Sequence, residues 1–232
     1  SAIRRVLRRS GATELTLFGY CMGGTMAAMY AALFPDPPLK HLILLTTPID
    51  FPPEQTGNLG LWTNPRVFDP DRLVDALGNI PGPLIDTAMR MLKPVPNYLG
   101  TPIMMWDRLL RGKPMETWLA MNKWVNDGIP FPGAAFRQLL HLYQRNTLTQ
   151  GTFTLRGQRV ELANITCAVL NIAGTKDHIV PIAQTQATLR LIASGDKEAL
   201  VLEAGHVGML TGAEAKRELW PQLRRWLGPR SR

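Results

Sequence analysis

The chain has 232 residues, of which 45% are apolar and 19% charged, the balance of a globular protein with one large domain or two small ones. No apolar run approaches the roughly 20 residues that span a bilayer, so no transmembrane segment is expected. Two cysteines are too few for a disulfide scaffold and four histidines show no metal-ligand spacing, so we expect neither a metal nor a bound cofactor.

The net charge of +8 would attract anionic partners, but the charge alone does not say which. Much of the excess lies at the two ends of the chain, in Arg4, Arg5, Arg8, Arg9, Arg224, Arg225, Arg230 and Arg232. No nucleic-acid-binding motif accompanies these arginines, so we interpret both clusters as solvated helix faces and expect no nucleic-acid partner. The first residues lack the apolar segment and cleavage site of a secretory signal, which predicts a cytoplasmic protein.

Four short apolar runs, each rich in strand-forming residues and followed by a turn, predict buried parallel strands. They cover residues 15–19, 41–47, 167–173 and 199–203. Apolar residues at helical spacing predict helices over residues 3–9, 22–33, 181–192 and 213–226. This alternation indicates an α/β fold whose sheet is covered by helices on both faces.

Proline marks an insertion into this α/β pattern, because 16 of the 19 prolines lie between Pro35 and Pro132. Short segments of helical spacing lie between them, at residues 71–77, 84–92, 98–110 and 115–125. We therefore divide the chain into a first core part (1–50), a helical cap insertion (51–160) and a second core part (161–232). The insertion holds four of the six tryptophans and six of the ten methionines, which predicts a plastic apolar surface.

The sequence GYCMG, residues 19–23, lies directly between a predicted strand and a predicted helix. It has the pattern of a nucleophile elbow in which Cys21 replaces the usual serine. We expect glycines on both sides of the nucleophile because a Cβ there would collide with the neighbouring strand and helix. The helix N-terminus would favour the thiolate, and the Met22 N–H would face a developing oxyanion. Cys167, in contrast, is predicted to lie mid-strand as an inert core residue.

A nucleophile at an elbow needs a histidine base and a carboxylate that orients it, in the chain order nucleophile, acid, histidine. Asp177 follows the third predicted strand in GTKDH, and His206 follows the fourth in AGHVG. We predict these two residues as the acid and the base. His178 is expected to have a structural or supporting role, and His41 and His141 to be structural.

With these motifs in place, the chain resembles polyhydroxyalkanoate synthases, α/β-hydrolase-fold enzymes that polymerise 3-hydroxyacyl groups from coenzyme A thioesters. The resemblance covers nearly the whole chain, in GYCMGGT, LNIAGTKDHIVP, EAGHVGMLTG, WPQLRRWL and the segment WLAMNKWVNDGIPFPGAAFRQLLHLYQRN. The form GHVGMLTG is similar to the short synthases that work with a separate partner subunit. The resemblance implies that Cys21 carries the acyl group, that His206 activates it and that Asp177 is the acid. It also implies a homodimer, a partner synthase subunit, and a place on the surface of cytoplasmic polyester granules.

The implied chemistry suits a cysteine, because thiolate attack on a thioester is nearly isoenergetic and leaves an acyl enzyme that is reactive toward an alcohol. The hydroxyl that elongates the polymer would be deprotonated by His206, or with help from Asp177. Water must be excluded from the acyl enzyme, and the insertion is expected to act as a cap over Cys21 for this purpose.

Only about 20 residues precede Cys21, whereas hydrolase sheets have several strands before the elbow, including one whose loop donates a second oxyanion N–H. We therefore expect a parallel sheet that lacks its N-terminal strands, with about a third of the family's chain absent. Two other functions stay open. One is a cysteine-dependent thioesterase or esterase with the same triad, and the other is an inactive fragment that binds granules or a partner subunit.

Overall fold

The computed structural model describes residues 2–34, 38–52 and 57–231. The chain divides into two compact units, one formed by Ser1–Gly60 with Leu142–Arg232 and the other by Leu61–His141. Residues 53–56 of the predicted insertion and Arg232 of the predicted basic cluster lie outside the described residues.

The first unit is built on a parallel sheet, as the alternation of strands and helices predicts. The strands, in chain order, are β1 (Leu15–Tyr20), β2 (Leu39–Leu45), β3 (Thr154–Leu155), β4 (Gln158–Arg159), β5 (Ala168–Gly174) and β6 (Lys197–Leu202). Four of them pair in the order β1-β2-β5-β6, and every pairing is parallel. Strands β3 and β4 form a short antiparallel hairpin that the sequence did not predict.

All four strands of the parallel sheet differ by one or two residues from their predicted bounds, and the differences in β2 and β5 have a cause in the backbone. Strand β2 ends at Leu45, and the next residue, Thr46, has a left-handed backbone with φ 45°, which strand geometry excludes. Strand β5 begins at Ala168, where its pairing with β2 begins at His41. The prediction that Cys167 lies mid-strand is therefore wrong, because Cys167 precedes the ladder and is only partly buried.

Helices cover both faces of the sheet and make up most of the second unit. They are α1 (Ala2–Ser10), α2 (Met22–Leu33), α3 (Gly60–Thr63), α4 (Pro70–Leu77), α5 (Gly82–Met91), α6 (Thr101–Leu110), α7 (Glu116–Asn126), α8 (Gly133–Arg145), α9 (Ile182–Leu191), α10 (Gly208–Thr211) and α11 (Trp220–Arg230). The predicted helix over 213–226 is confirmed: these residues are helical throughout and the helix continues to Arg230, with a π-helical turn at Ala215–Leu219 before α11.

The core of the first unit lies around the two central strands. Strand β2 is buried along almost its whole length, and β5 is buried from Val169 to its end. On one face α2 packs against β1 and β2 through small buried residues such as Ala28 and Ala31, which allow a close approach. On the other face Leu223 and Trp226 of α11 join a cluster with strand residues of β2, β5 and β6. This packing fixes the strand ends from which the candidate site is built.

The junction between β1 and α2 depends on two glycines. A Cβ at Gly19 would lie 2.5 Å from the Cα of Gly24, and a Cβ at Gly24 would overlap the side chain of Thr47. A Cβ at Gly23 would meet nothing within 4 Å. The prediction that both glycines flanking Cys21 are needed for space is thus right for Gly19 and wrong for Gly23, because Gly24 makes the close approach to the loop after β2.

The second unit consists of short helices held by a small core and by ion pairs. Phe68 and Phe131 both pack edge-on against Phe136, and Arg137 contacts Asp71 and Asp75. In contrast, α6 has no buried residue. Among the described residues, no helix combines the length and apolar character that crossing a bilayer would require. The assignment of residues 51–160 as a cap stays a prediction.

The glycine contacts predict opposite effects for two neighbouring substitutions. Gly24→Ala should lower the free energy of unfolding by about 1–3 kcal/mol, the usual cost of overpacking, because the new methyl group collides with Thr47. Gly23→Ala is the matched control and should leave it unchanged or raise it by up to about 1 kcal/mol, since alanine favours a helix. Urea unfolding measures both values, and equal destabilisation by the two variants would contradict this account.

The burial pattern also predicts where backbone amides exchange fastest. Amides in α6 should exchange with solvent hydrogen much faster than those in β5, because no residue of α6 is buried whereas β5 is buried and paired on both sides. Hydrogen exchange followed by mass spectrometry compares the two segments within one sample. Equally slow exchange in both segments would show that α6 is held by contacts that its burial does not reveal.

Candidate active site

The three residues predicted to carry the chemistry follow three strands of the same parallel sheet. Cys21 comes directly after β1, Asp177 lies three residues after β5, and His206 lies four residues after β6. Because parallel strands point the same way, their carboxyl ends lie along one edge, which is where such sheets place their sites. The topology therefore gathers residues that are up to 185 positions apart in the sequence.

Cys21 lies at the sharp turn between β1 and α2. Its backbone is left-handed, with φ 53° and ψ −126°, so a residue with a Cβ is held in a strained conformation. Its N–H donates to the carbonyl of Leu45 at 2.9 Å, and its carbonyl accepts from the N–H of Gly24 at 2.8 Å. Met22 is the first residue of α2, so its N–H has no acceptor within the helix, and the side chain of the N-cap residue, Cys21, makes no capping hydrogen bond. The thiol thus lies at the positive end of a helix.

Asp177 is held rigidly by the loop that follows β5. Its side chain is fully buried, and Oδ1 accepts hydrogen bonds from the N–H groups of Ile179 and Val180, each at 2.9 Å. The other oxygen, Oδ2, lies 2.7 Å from Nδ1 of His206. Because both oxygens have partners, the carboxylate presents one defined acceptor to the imidazole.

His206 links the carboxylate to the thiol. Its side chain is 7% exposed, and with Nδ1 facing Asp177, the Nε2 side of the ring is left for a hydrogen bond with Cys21. Burial by itself lowers the pKa of His206, but the hydrogen bonds to Asp177 and Cys21 and the negative charges of both groups outweigh it. Together they raise the pKa of His206 to about 9. The site therefore favours an imidazolium at neutral pH.

The acid loop and the histidine loop are also tied to each other through the backbone. The N–H of Lys176 donates to the carbonyl of Ala204 at 3.2 Å, and the N–H of Thr175 donates to that of Leu202 at 2.9 Å. An exposed ion pair joins Lys176 and Glu203 at 2.9 Å, and exposed pairs of this kind add little stability. The backbone bonds therefore set the relative position of Asp177 and His206.

The remaining histidines and Cys167 were predicted to have structural or supporting roles, and each has its own contacts in the structure. The carbonyl of His178 accepts from the N–H of Asn58 at 3.2 Å, which ties the acid loop to the segment after residue 56. His41 is buried, bonds to Thr16 at 2.9 Å and has its pKa lowered, first by burial. His141 lies 3.1 Å from Asp71.

The thiol of Cys167 has its pKa raised by burial, which opposes thiolate formation. The roles predicted for the three histidines and for Cys167 stay predictions.

Two residues beside Cys21 received no role from the sequence. Thr46 follows β2 next to the elbow, is fully buried, and its Oγ1 has no hydrogen-bond partner among the described residues. The Tyr20 hydroxyl donates to the carbonyl of His206 at 3.2 Å, and the two rings lie 5.1 Å apart. Strand alternation could have pointed to Tyr20, since Gly19 faces α2 and the next side chain must face the opposite side of the sheet.

Comparison with known proteins places this chain in a family. The chain is 32% identical over 225 residues to the poly(3-hydroxyalkanoate) polymerase subunit PhaC of Haloferax mediterranei, a match that covers 96% of this chain and 45% of that protein. It is 36% identical over 221 residues to the subunit of the same name from Allochromatium vinosum, covering 95% of this chain and 61% of that protein. The resemblance to polyhydroxyalkanoate synthases is confirmed by these relatives. The chain spans about half to three-fifths of their length.

Solved structures agree on the fold. The monoacylglycerol lipase of Paleococcus ferrophilus matches with a TM-score of 0.53 at 15% identity, covering 99% of this chain and 73% of that one. The sequence model of the alpha/beta hydrolase fold matches residues 1–213. With its parallel sheet, its elbow after β1 and the order of Cys21, Asp177 and His206, the chain belongs to the α/β-hydrolase fold family.

Proposed function

We propose that this chain provides the catalytic site of an acyltransferase that polymerises 3-hydroxyacyl groups from coenzyme A thioesters into a polyester. The observation that carries the proposal is a cysteine at a nucleophile elbow that interacts electrostatically with a histidine, which is itself bonded to a buried carboxylate. The similarity to the polymerase subunits named above supports the same reaction.

In the first step, the Cys21 thiolate attacks the carbonyl carbon of the thioester. The negative charge that develops on the oxygen would be stabilised by the Met22 N–H at the start of α2. When the carbon–sulfur bond of the substrate breaks, the His206 imidazolium gives its proton to the departing sulfur of coenzyme A. The products are free coenzyme A and an acyl group bound to Cys21, and His206 is left neutral.

In the second step, the neutral His206 accepts the proton of a hydroxyl group on another 3-hydroxyacyl chain. The hydroxyl oxygen attacks the acyl group on Cys21, an ester bond forms, and the thiolate leaves beside an imidazolium again. Asp177 keeps the imidazole in one orientation and stabilises its charged form throughout. The thioester itself supplies the activated acyl group, so the proposed reaction uses no metal or further cofactor.

The proposal extends to the surroundings of the enzyme. A polymer that grows from Cys21 becomes insoluble, so the chain would work at the surface of a polyester granule in the cytoplasm. The names of the relatives describe subunits, and we propose that this chain likewise works with a partner synthase subunit and as a homodimer. Apolar side chains exposed on the second unit would suit contact with polyester, among them Ile103, Trp106, Leu110 and Trp124.

The test of the proposed function is incubation with 3-hydroxybutyryl-coenzyme A. Thiol release and turbidity are recorded together, and the protein is then analysed by mass spectrometry for a covalent acyl adduct. Cys21→Ala should abolish the adduct and thiol release, whereas Cys167→Ala, the matched control, should retain both within about twofold. The difference is expected because only Cys21 combines the elbow, the helix N-terminus and the histidine.

The products distinguish this function from the other two. Thiol release with polymer supports the synthase, whereas thiol release with free hydroxy acid and no polymer would indicate a thioesterase. A folded protein that neither releases thiol nor forms an adduct would indicate a binding fragment. An adduct retained by Cys21→Ala would overturn the assignment of the nucleophile.

The raised pKa of His206 predicts a particular pH dependence. Its ring protons should titrate in NMR spectra with a midpoint well above pH 6.5, and Asp177→Asn should lower that midpoint by removing one of the groups that stabilise the charge.

The same shift affects stability. Because the pKa of His206 is higher in the folded protein than in the unfolded chain, its charge stabilises the fold fully below about pH 6.5 and loses this effect as the pH rises through about 9. The stability difference between the native chain and His206→Gln should therefore shrink over that interval. A midpoint at or below 6.5 would contradict the prediction.

A further inference from the structure

The strand order leaves a gap between the nucleophile and its base. Strand β1, which carries Cys21, lies at one edge of the four-stranded sheet, and β6, which precedes His206, lies at the other. Two strands separate them. The backbone bonds described above tie the histidine loop to the acid loop after β5, but they do not reach β1. A direct contact between β1 and the loop of His206 would therefore fix how closely His206 approaches Cys21.

Tyr20 makes such a contact. It is the last residue of β1 and the residue directly before Cys21. Its hydroxyl donates to the backbone carbonyl of His206 at 3.2 Å, and its ring lies 5.1 Å from the imidazole at an angle of 39°. One side chain thus holds both the backbone and the ring of His206.

The Tyr20 side chain is itself well anchored. It is partly buried against the core cluster that contains Met209, Leu219 and Trp226, and its backbone is paired with Leu45 in the sheet. Burial first, and then the negative charges of Cys21 and Asp177, raise the pKa of its hydroxyl. The hydroxyl thus stays protonated, and so remains a hydrogen-bond donor, over the whole pH range in which the enzyme would work.

We infer that Tyr20 is a positioning residue that sets the distance and orientation of His206 toward Cys21. The hydroxyl restrains the His206 peptide group, and the ring forms one wall of the space in which the imidazole can rotate. Without these restraints the imidazole would keep its bond to Asp177 but would present Nε2 to Cys21 in a smaller fraction of molecules. Small losses of alignment of this kind reduce catalytic rates strongly.

This inference rests on the proposed role of Cys21 as the nucleophile, and it is tested through the reactivity of the thiol. In a Cys167→Ala background, iodoacetamide alkylates Cys21 alone, and mass spectrometry gives the rate across a pH series. Alkylation needs no thioester. Failure of the inference can therefore be told apart from failure of the proposed acyl transfer.

Tyr20→Phe keeps the ring and removes only the hydroxyl, so the alkylation rate at pH 7 should fall about 3- to 10-fold, the range expected for one neutral hydrogen bond. Tyr20→Leu removes the ring as well and should lower the rate further and shift the pH profile. Tyr30→Phe is the matched control, since Tyr30 packs on Phe34 along α2, and it should leave rate and profile unchanged. With 3-hydroxybutyryl-coenzyme A, Tyr20→Phe should lower the turnover number of thiol release while KM changes less than about twofold.

Two results would overturn the inference. One is a Tyr20→Phe protein with the alkylation rate and pH profile of the native chain. The other is a rate that falls only in proportion to the unfolded fraction measured by thermal unfolding, which would mean that Tyr20 supports the fold and nothing more. Because Tyr20→Phe preserves the shape of the ring, it decides between these outcomes even if Tyr20→Leu fails to fold.

Discussion

The left-handed backbone at Cys21 is the constraint on which the rest of the site depends. With φ 53°, the chain passes from β1 into α2 through Cys21 alone, so the thiol lies at the start of a helix. A residue with a Cβ in this conformation is strained by about 1–3 kcal/mol, and surrounding structure must hold it. The bond from its N–H to Leu45 and the close approach of Gly19 to Gly24 do so.

With the elbow in place, the order of the strands determines which charged groups lie next to His206. The buried Asp177 carboxylate has partners on both oxygens and stabilises a positive charge on His206. The interaction with Cys21 also raises the pKa of His206. Together these interactions stabilise the charged ring in a place where burial alone would favour the neutral ring. This arrangement explains how one histidine can first give a proton to a leaving sulfur and then accept one from a hydroxyl.

The sequence allowed the three central residues to be predicted because each lies in a local pattern. A strand followed by a turn can be recognised from a short window, and GYCMG, GTKDH and AGHVG each follow such a strand. The ends of the elements were less predictable, since they depend on partners far away in the chain. Cys167 lies outside β5 because the β2 pairing starts at Ala168, and Thr46 leaves β2 because its backbone turns beside the elbow.

By itself, then, the sequence determined the α/β class, the parallel strands and the identity of the candidate nucleophile, acid and base. These follow from hydrophobic periodicity and from short motifs, which act over a few residues. Only the tertiary structure decided that Gly24, and not Gly23, makes the close approach at the elbow, and that Tyr20 reaches the loop of His206. Both depend on which side chains from distant segments share one small volume, and that is set by the packing of helices and strands against one another.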